Sequence, residues 1–230
     1  GCGGGATTLA IARKVAPAGR VMGVDISPDL VAAARERAAR SGATNIAFTC
    51  ADASTVTLDD APYDRLFSRF GSMFFDDPSS AFAHLHGLLR RGGRIDLAVW
   101  GPPRDNQWIM EMMGVVRNHI EVPPAVPRAP GPFAFEDLDY LGEILDGSGF
   151  SAMDVVAYDG LQPVGGRRAT PEQAVAFAFA SMAVGRLLND KGEAIKQAAS
   201  SELKAVFARH YREGEGVMMQ GKAWLVSAVA

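Results

Sequence analysis

The stretch GCGGGATTLAIARKV at residues 1–15, followed by RVMGVD at 20–25, decides the expected fold. Gly1, Gly3 and Ala6 match the pattern G-x-G-x-x-A at the start of a predicted helix. Glycines let the backbone approach a ligand closely, and the N-terminus of a helix offers free N–H groups and the positive end of a dipole. Residues 20–25 are a short apolar run that is typical of a buried strand. The stretch therefore predicts a ligand-binding loop in front of a helix.

Strands and helices alternate along the first hundred residues, which is typical of a parallel sheet covered by helices. Further strands are predicted at 45–50, 63–68 and 94–100, and helices at 28–41 and 79–91. This spacing leaves enough chain for right-handed crossover connections. We therefore expect an α/β fold with a doubly wound, mostly parallel, seven-stranded Rossmann-like sheet.

Two insertions interrupt this pattern in the second half of the chain. The predicted core parts are 1–100, 133–159 and 216–230, and the predicted insertions are 101–132 and 160–215. The first insertion is rich in proline and too long for a plain connecting loop, while the second is mainly helical. The last two strands are expected to pair antiparallel at the sheet edge. We expect residues 1–100 to bind a cofactor and the insertions to form a helical cap over the reactive site.

The composition restricts the class of protein and its partners. With 230 residues, 48% of them hydrophobic and 21% charged, the chain has ordinary globular composition, which excludes a disordered protein. A net charge of −3 argues against nucleic acid or anionic membrane as a partner, and the longest apolar run is too short to span a membrane. Two cysteines favour a reducing compartment, so we expect a cytoplasmic protein. No metal-ligand spacing occurs, and nothing indicates an oligomeric state.

Two carboxylates follow predicted strands at positions suited to a nucleoside. Asp25 ends the strand after the glycine loop, where a carboxylate can accept both hydroxyls of a ribose. The alternatives are a solvated strand end and a helix cap. The glycine loop and Asp25 together indicate an adenosine-containing ligand and leave a nicotinamide dinucleotide and S-adenosylmethionine both open. Asp52, in the turn CADAS, is positioned to accept from the exocyclic amine of an adenine, with the Ala53 N–H beside the ring.

At this point the chain resembles the class I S-adenosylmethionine-dependent methyltransferases, and within them a bacterial small-molecule subgroup. The resemblance rests on the glycine loop, Asp25, the Ala-Asp-Ala turn and the stretch LLRRGGR at 88–94. It continues through PGPFAFEDLDYLGEILDGSGF at 130–150 to AWLVSA at 223–228. Arg91 stands where the family usually has proline. The strand that the family places before the first glycine is absent, so we expect at least one β-strand upstream of Gly1.

The resemblance implies methyl transfer from S-adenosylmethionine to a small organic acceptor, at oxygen, nitrogen or carbon, with release of S-adenosylhomocysteine. The acceptor is expected to be aromatic, quinone-like or another secondary metabolite. The sulfonium methyl is already activated, so the reaction mainly needs a nucleophile held at near-attack distance in a dry pocket. The implied cofactor-binding residues are Gly1, Gly3, Gly5, Asp25, Ile26, Asp52, Ala53, Ser68, Arg69 and Phe70.

Fewer residues are candidates for binding the methyl acceptor than for binding the cofactor. Asn106 and Trp108 resemble a recurring feature of the subgroup that faces the pocket, and the alternative for both is capping and packing. Arg186 can meet an acidic substrate or cap a helix–helix contact. His119 ends the helix of the first insertion and is the candidate for a catalytic base, which an alcohol or carbon acceptor would need.

Two other functions share part of this pattern. An NAD(P)-dependent oxidoreductase has the same glycine loop and the same use for Asp25. It does not explain Asp52, and the chain has no Tyr-x-x-x-Lys pair. A non-catalytic protein that keeps the fold and binds the cofactor for regulation or assembly is the second alternative, because no catalytic base is obvious.

Overall fold

A computed structural model describes residues 1–230, which form seven strands, eight α-helices and two short 3-10 helices. The strands are β1 (Val21–Asp25), β2 (Ile46–Cys50), β3 (Tyr63–Arg69), β4 (Leu89–Trp100), β5 (Ser151–Pro163), β6 (Tyr211–Arg212) and β7 (Gly216–Val229). The α-helices are α1 (Ala6–Val15), α2 (Pro28–Ser41), α3 (Pro78–Gly87), α4 (Gln107–His119), α5 (Leu138–Gly147), α6 (Pro171–Ser181), α7 (Ala183–Leu188) and α8 (Glu193–Arg209). The 3-10 helices are Ser72–Phe74 and Pro103–Asp105.

Local sequence signals explain where α2 begins and ends. The Ser27 hydroxyl accepts a hydrogen bond from Leu30 N–H, and Pro28 occupies the first helical position, where its missing N–H has no cost. Gly42 ends the helix with a φ of +68°, a conformation that glycine adopts without strain. Val31 and Ala34 are buried on one face of the helix. The predicted α2 is therefore confirmed within its expected bounds.

Most of the strands pair in parallel, and the last strand, β7, is antiparallel to its neighbour β4. β1 pairs in parallel with β2, and β3 pairs in parallel with β4. In the larger sheet the order is β3-β4-β7-β5, and β6 pairs with β7. Gly92 N–H donates to Ala230 O and Gly101 N–H donates to Lys222 O, so β7 runs antiparallel to β4. The mostly parallel α/β sheet with an antiparallel last strand is confirmed.

The described strands fall into two hydrogen-bonded groups. β1 and β2 form one parallel pair, and β3, β4, β7 and β5 follow one another in the second group, in which β6 pairs with β7. The glycine loop lies at the carboxyl end of β1, where Cys2 N–H donates to Val24 O at 2.8 Å.

Some element bounds also differ from the predicted ones. The helix predicted over 79–91 ends at Gly87, because the next residues enter β4 and pair with neighbouring strands. The second insertion, predicted to be mainly helical, holds the three helices α6, α7 and α8. Met182 is extended, with φ −119° and ψ 178°, and it separates α6 from α7. β5, with 13 residues, and β7, with 14, are the two longest strands.

The chain forms two compact units. Unit 1 consists of Gly1–Trp100, Arg128–Val156 and Trp224–Ala230, and unit 2 consists of Gly101–Pro127 and Ala157–Ala223. The main core of unit 1 is centred on aromatic rings. Phe82 and Phe135 are fully or almost fully buried, and their rings meet edge to face with centroids 5.8 Å apart. This packing fixes α3 and α5 within unit 1.

Unit 2 is built mainly from helices. α6 begins with a capping box, in which the Thr170 hydroxyl accepts from Gln173 N–H and the Gln173 side chain accepts from Thr170 N–H. The Lys204 ammonium of α8 lies 2.8 Å from the Glu172 carboxylate of α6. None of the helices in either unit has the length and apolar character needed to cross a membrane.

Candidate functional site

The loop formed by residues 1–5 leads into α1, and two of its glycines adopt left-handed backbone conformations. Gly3 has a φ of +53° and Gly5 a φ of +75°. A Cβ on Gly5 would lie 2.8 Å from Ala34 Cβ, so Gly5 is required for the loop to pack on α2. A Cβ on Gly3 would meet no atom within 4 Å, so the backbone at Gly3 faces open space. The loop is therefore fixed on one side and accessible on the other.

The Asp25 carboxylate connects this loop to the end of β1. One carboxylate oxygen, Oδ2, accepts from Gly3 N–H at 2.7 Å, and Oδ1 accepts from Ser27 N–H at 3.0 Å. Asp25 is buried, with 7% of its surface exposed. Each oxygen of a carboxylate can accept about two hydrogen bonds, so each retains one acceptor position. Those two positions suit a pair of adjacent hydroxyl groups.

Two further residues extend the site past β1 and β2. Ile26 follows Asp25 and is 71% exposed, although it is apolar. Asp52 follows β2, and its Oδ1 accepts from Ser54 Oγ at 2.7 Å and from Ser54 N–H at 2.8 Å. These two hydrogen bonds, the hydroxyl first, hold the pKa of the Asp52 carboxyl below its usual value. Asp52 is therefore an exposed, ionised acceptor at neutral pH.

The end of β3 contributes the third part of the site. Ser68 Oγ accepts from Ser72 N–H at 3.1 Å and fixes the turn after the strand. Phe70 has a φ of +59°, which is rare for a residue with a side chain. Its ring stacks on Trp100 with centroids 4.1 Å apart and an interplanar angle of 7°. Backbone strain of this kind clusters at functional sites and persists where surrounding contacts support it.

The predicted cofactor residues all lie at the carboxyl ends of β1, β2 and β3 or in the glycine loop. Contacts join these places: Gly3 bonds Asp25, Ala51 N–H donates to Asp25 O at 3.0 Å, and a Cβ on Gly1 would lie 3.2 Å from Gly71 Cα. The open backbone at Gly3, the two acceptor positions on Asp25, the exposed Ile26 and the ionised Asp52 fit a nucleoside. These residues would hold S-adenosylmethionine through its ribose and adenine.

The residues predicted for the methyl acceptor lie in unit 2. Asn106 is completely buried, and its Nδ2 donates to Gly101 O at 3.0 Å and to Pro102 O at 2.9 Å. Its Oδ1 accepts from Trp108 Nε1 and from Lys222 N–H, both at 3.0 Å. The amide thus makes four hydrogen bonds within the unit. This geometry matches the capping and packing alternative for Asn106.

The remaining candidates are less buried than Asn106. His119 ends α4, and its Nε2 lies 3.4 Å from Glu202 Oε1 of α8, with 15% of the histidine side chain exposed. Arg186 is exposed on α7. The structure contains no group of three or more His, Cys, Asp or Glu residues that could hold a metal ion.

Trp100 was not predicted as a site residue, although its ring stacks on the ring of Phe70. Its place at the carboxyl end of a buried strand is a weak signal, since an aromatic residue there is equally typical of core packing. The stack depends on the conformation of Phe70, which no local pattern indicates.

Comparison with known proteins agrees with this arrangement. Residues 1–93 match the family model described as "Methyltransferase domain". Aklanonic acid methyltransferase DauC of Streptomyces sp. (strain C5) is 35% identical over 95 residues, which cover 41% of this chain and 43% of that protein. Nocamycin O-methyltransferase of Saccharothrix syringae is 29% identical over 130 residues, covering 56% and 45%. The matches thus span less than half the length of these two relatives.

Solved structures show the same fold. The YcgJ protein from Bacillus subtilis superimposes with a TM-score of 0.63 at 17% identity, over 100% of this chain and 88% of that one. Residues 1–93 thus match a methyltransferase domain, and the relatives and the solved structure to which the chain is similar support a class I S-adenosylmethionine-dependent methyltransferase. The comparisons give no support to the oxidoreductase alternative.

Proposed function

We propose that this protein transfers the methyl group of S-adenosylmethionine to a small organic acceptor and releases S-adenosylhomocysteine. The observation that carries the proposal is Asp25, whose carboxylate anchors the glycine loop and keeps one acceptor position on each oxygen. Those positions bind the two ribose hydroxyls. The match of residues 1–93 to the methyltransferase domain supports this use of the carboxylate.

The other cofactor contacts follow from the chemistry of the same site. Asp52 accepts a hydrogen bond from the adenine amine, and Ile26 packs against the ring. The Ala53 N–H lies beside the same ring. Ser68, Arg69 and Phe70 line the methionine half, and the Phe70–Trp100 stack supplies an apolar surface for it. When bound, the cofactor supplies a methyl group that is already activated on sulfur, so the protein mainly positions the acceptor and keeps the site dry.

We propose that the methyl acceptor is a small organic molecule. One relative is named for aklanonic acid and another is named nocamycin O-methyltransferase, and both names support a small organic molecule. The second name favours oxygen as the acceptor atom. Trp108 and Arg186 are the candidates for direct contact with the acceptor, while Asn106 positions Trp108 through the hydrogen bond to its indole nitrogen.

His119 is the proposed general base for an alcohol acceptor. Its Nε2 lies 3.4 Å from the Glu202 carboxylate, which can stabilise the imidazolium that forms when the ring takes a proton. An acidic phenol or a thiol would need no such base. His119→Gln should therefore lower kcat for an alcohol acceptor, with little effect on a phenol that is ionised at the assay pH.

Ligand-induced thermal stabilisation tests the proposal. S-adenosylhomocysteine should raise the melting temperature by several degrees, and NAD(P)H should leave it unchanged, because a ligand stabilises only the protein that binds it. Release of S-adenosylhomocysteine over a panel of phenols, quinols and hydroxy acids then identifies the acceptor. Stabilisation by NAD(P)H alone would overturn the proposal.

A cytoplasmic location is proposed on the basis of the two cysteines, both of which are free thiols. No nucleic-acid partner is proposed, because the chain carries a net charge of −3.

A further inference from the structure

The turn at residues 51–56, which follows β2, is attached to the rest of unit 1 at both of its ends. Ala51 N–H donates to Asp25 O at 3.0 Å, which ties the start of the turn to β1. At the other end, Nε2 of His84 lies 2.9 Å from Val56 O. His84 belongs to α3, so the turn is held between a strand and a helix that are distant in sequence.

The contact between His84 and Val56 fixes the position of a hydrogen atom. A carbonyl oxygen can only accept a hydrogen bond, so Nε2 of His84 carries the hydrogen and donates it. The neutral Nε2–H tautomer and the imidazolium both provide this donor, and the hydrogen bond therefore persists when the ring changes its charge. His84 is half-buried, which protects the hydrogen bond in part from water.

α3 provides a rigid support for this hydrogen bond. Phe82 and Leu85, which lie on either side of His84 in the sequence of the helix, are both buried in the main core of unit 1. The start of the helix is capped by Asp77, whose carboxylate accepts from Ser80 N–H at 3.1 Å. The imidazole therefore projects from a fixed backbone.

Within the turn, the backbone folds around Asp52. The Asp52 carbonyl accepts from Thr55 N–H at 3.2 Å and from Val56 N–H at 2.9 Å. The position of Val56 thus determines the position of Asp52. Both hydrogen bonds from Ser54 end on Oδ1 of the Asp52 carboxylate, so Oδ2 is available to a ligand.

His84 also acts on the charge of the same carboxylate. The pKa of the Asp52 carboxyl is lowered first by the hydrogen bonds from Ser54 and, to a smaller extent, by the positive charge of His84. The imidazole therefore lies within electrostatic range of Asp52 while it holds the carbonyl of Val56. Its hydrogen bond and its charge favour one position and one ionisation state of the carboxylate.

We propose that His84 is a positioning residue for the adenine of the cofactor: through Val56 it holds the turn at 51–56 so that the Asp52 carboxylate meets the exocyclic amine. The inference rests on the proposed function, in which Asp52 accepts from that amine. His84 acts through the backbone of the turn and does not itself touch the ligand. Its loss should weaken recognition of the amine and leave the ribose contact of Asp25 in place.

Recognition of the amine is measured with two ligands, S-adenosylhomocysteine and its analogue with hydrogen in place of the exocyclic amine. Isothermal titration gives both affinities. The wild type should bind S-adenosylhomocysteine about tenfold more tightly than the analogue, which cannot donate to the charged Asp52. His84→Ala should lower this ratio about threefold, through weaker binding of S-adenosylhomocysteine. His84→Gln, whose amide nitrogen can donate to the same carbonyl, should restore it.

His86→Ala is the matched control on the same helix. Two helical positions correspond to a rotation of about 200°, so His86 faces the opposite side of α3 from His84. Its ring packs on Phe150, with centroids 5.0 Å apart. His86→Ala should keep the wild-type ratio of affinities, even where the lost packing lowers its stability. Urea denaturation of all variants separates a loss of stability from a loss of discrimination.

Four results would overturn the role of His84. An unchanged ratio in His84→Ala, or an equal fall in His86→Ala, would mean that the turn does not depend on this imidazole. A ratio in His84→Gln as low as in His84→Ala would mean that the donated hydrogen bond is not the cause. Equal binding of both ligands by the wild type would mean that Asp52 does not recognise the amine. Failure of the proposed function differs from all four, because the wild type would then bind neither ligand.

Discussion

Gly3 N–H and the Asp25 carboxylate, 22 residues apart in the chain, form a hydrogen bond of 2.7 Å that fixes the glycine loop to the end of β1. The loop conformation and the ligand-binding carboxylate therefore depend on each other. A change at either residue alters both the shape of the loop and the chemistry it presents.

Asp25→Asn should weaken S-adenosylhomocysteine binding about 10- to 100-fold. The amide keeps the shape of the carboxylate but turns one acceptor into a donor, and hydrogen bonds to a charged group contribute roughly 1.5–3 kcal/mol. Isothermal titration measures the affinity. Asp29→Asn, at an exposed position in the first turn of α2, is the matched control and should bind normally. Equal affinity in both variants would mean that Asp25 does not contact the cofactor.

Gly3→Ala and Gly42→Ala form a second matched pair. Both glycines have positive φ, +53° and +68°, and a Cβ would meet no atom within 4 Å at either position. Each substitution should lower the free energy of unfolding by about 1–2 kcal/mol because of the left-handed backbone. Only Gly3→Ala should weaken S-adenosylhomocysteine binding, since its methyl group occupies the open side of the loop. A comparable loss of affinity in Gly42→Ala would contradict this assignment.

Asn106→Ala should lower the free energy of unfolding by about 2–4 kcal/mol, because it removes four hydrogen bonds from a fully buried side chain. Urea denaturation measures the change. Asn118→Ala, an exposed position on α4, should change it by less than about 0.5 kcal/mol. If Asn106 instead contacts the acceptor, Asn106→Ala should raise KM while leaving the urea midpoint in place.

Glu172→Gln should change how the free energy of unfolding depends on pH in the acid range. The Lys204 ammonium beside Glu172 lowers the pKa of that carboxyl from 4.5 to about 2. A lowered pKa in the folded state means that the stabilisation is present above about pH 4.5 and is lost as the pH falls towards about 2. The wild type should therefore be the more stable at pH 7, by a small margin because the pair is exposed, and the two proteins should converge near pH 2. Urea midpoints across this range test the sign, and a constant difference would contradict it.

Local signals made the first part of the fold predictable. Ser27, Pro28 and Gly42 mark the ends of α2, and the glycine loop marks the start of α1. The end of α3 is different, because residues 88–91 carry a helical pattern and are drawn into β4 by pairing with distant strands. The break between α6 and α7 at Met182 has no turn residue either. Gly185 of α7 lies so close to the backbone of α6 that a Cβ on it would be 1.7 Å from Phe179 O, so this contact requires glycine.

Some residues of the candidate site could likewise be predicted from local sequence, and others could not. The glycine loop and Asp25 are recognisable because the chain between them has the length of one helix and one strand, α1 and β1. Phe70 and Trp100 stack across 30 positions of sequence, and the positive φ of Phe70 has no local signature. One of the four hydrogen bonds of the Asn106 side chain comes from Lys222 N–H, which is 116 residues away in the chain. Such relationships arise from the tertiary fold, so a motif cannot reveal them.

The packing of the glycine loop has a consequence for α2. Val31, Ala34 and Phe48 form a small buried cluster of their own, and Gly5 packs against it, since a Cβ on Gly5 would lie 2.8 Å from Ala34 Cβ. A ligand that holds the glycine loop should therefore also hold α2 in place. Bound cofactor should slow amide hydrogen exchange in the buried part of α2, at residues that it does not touch.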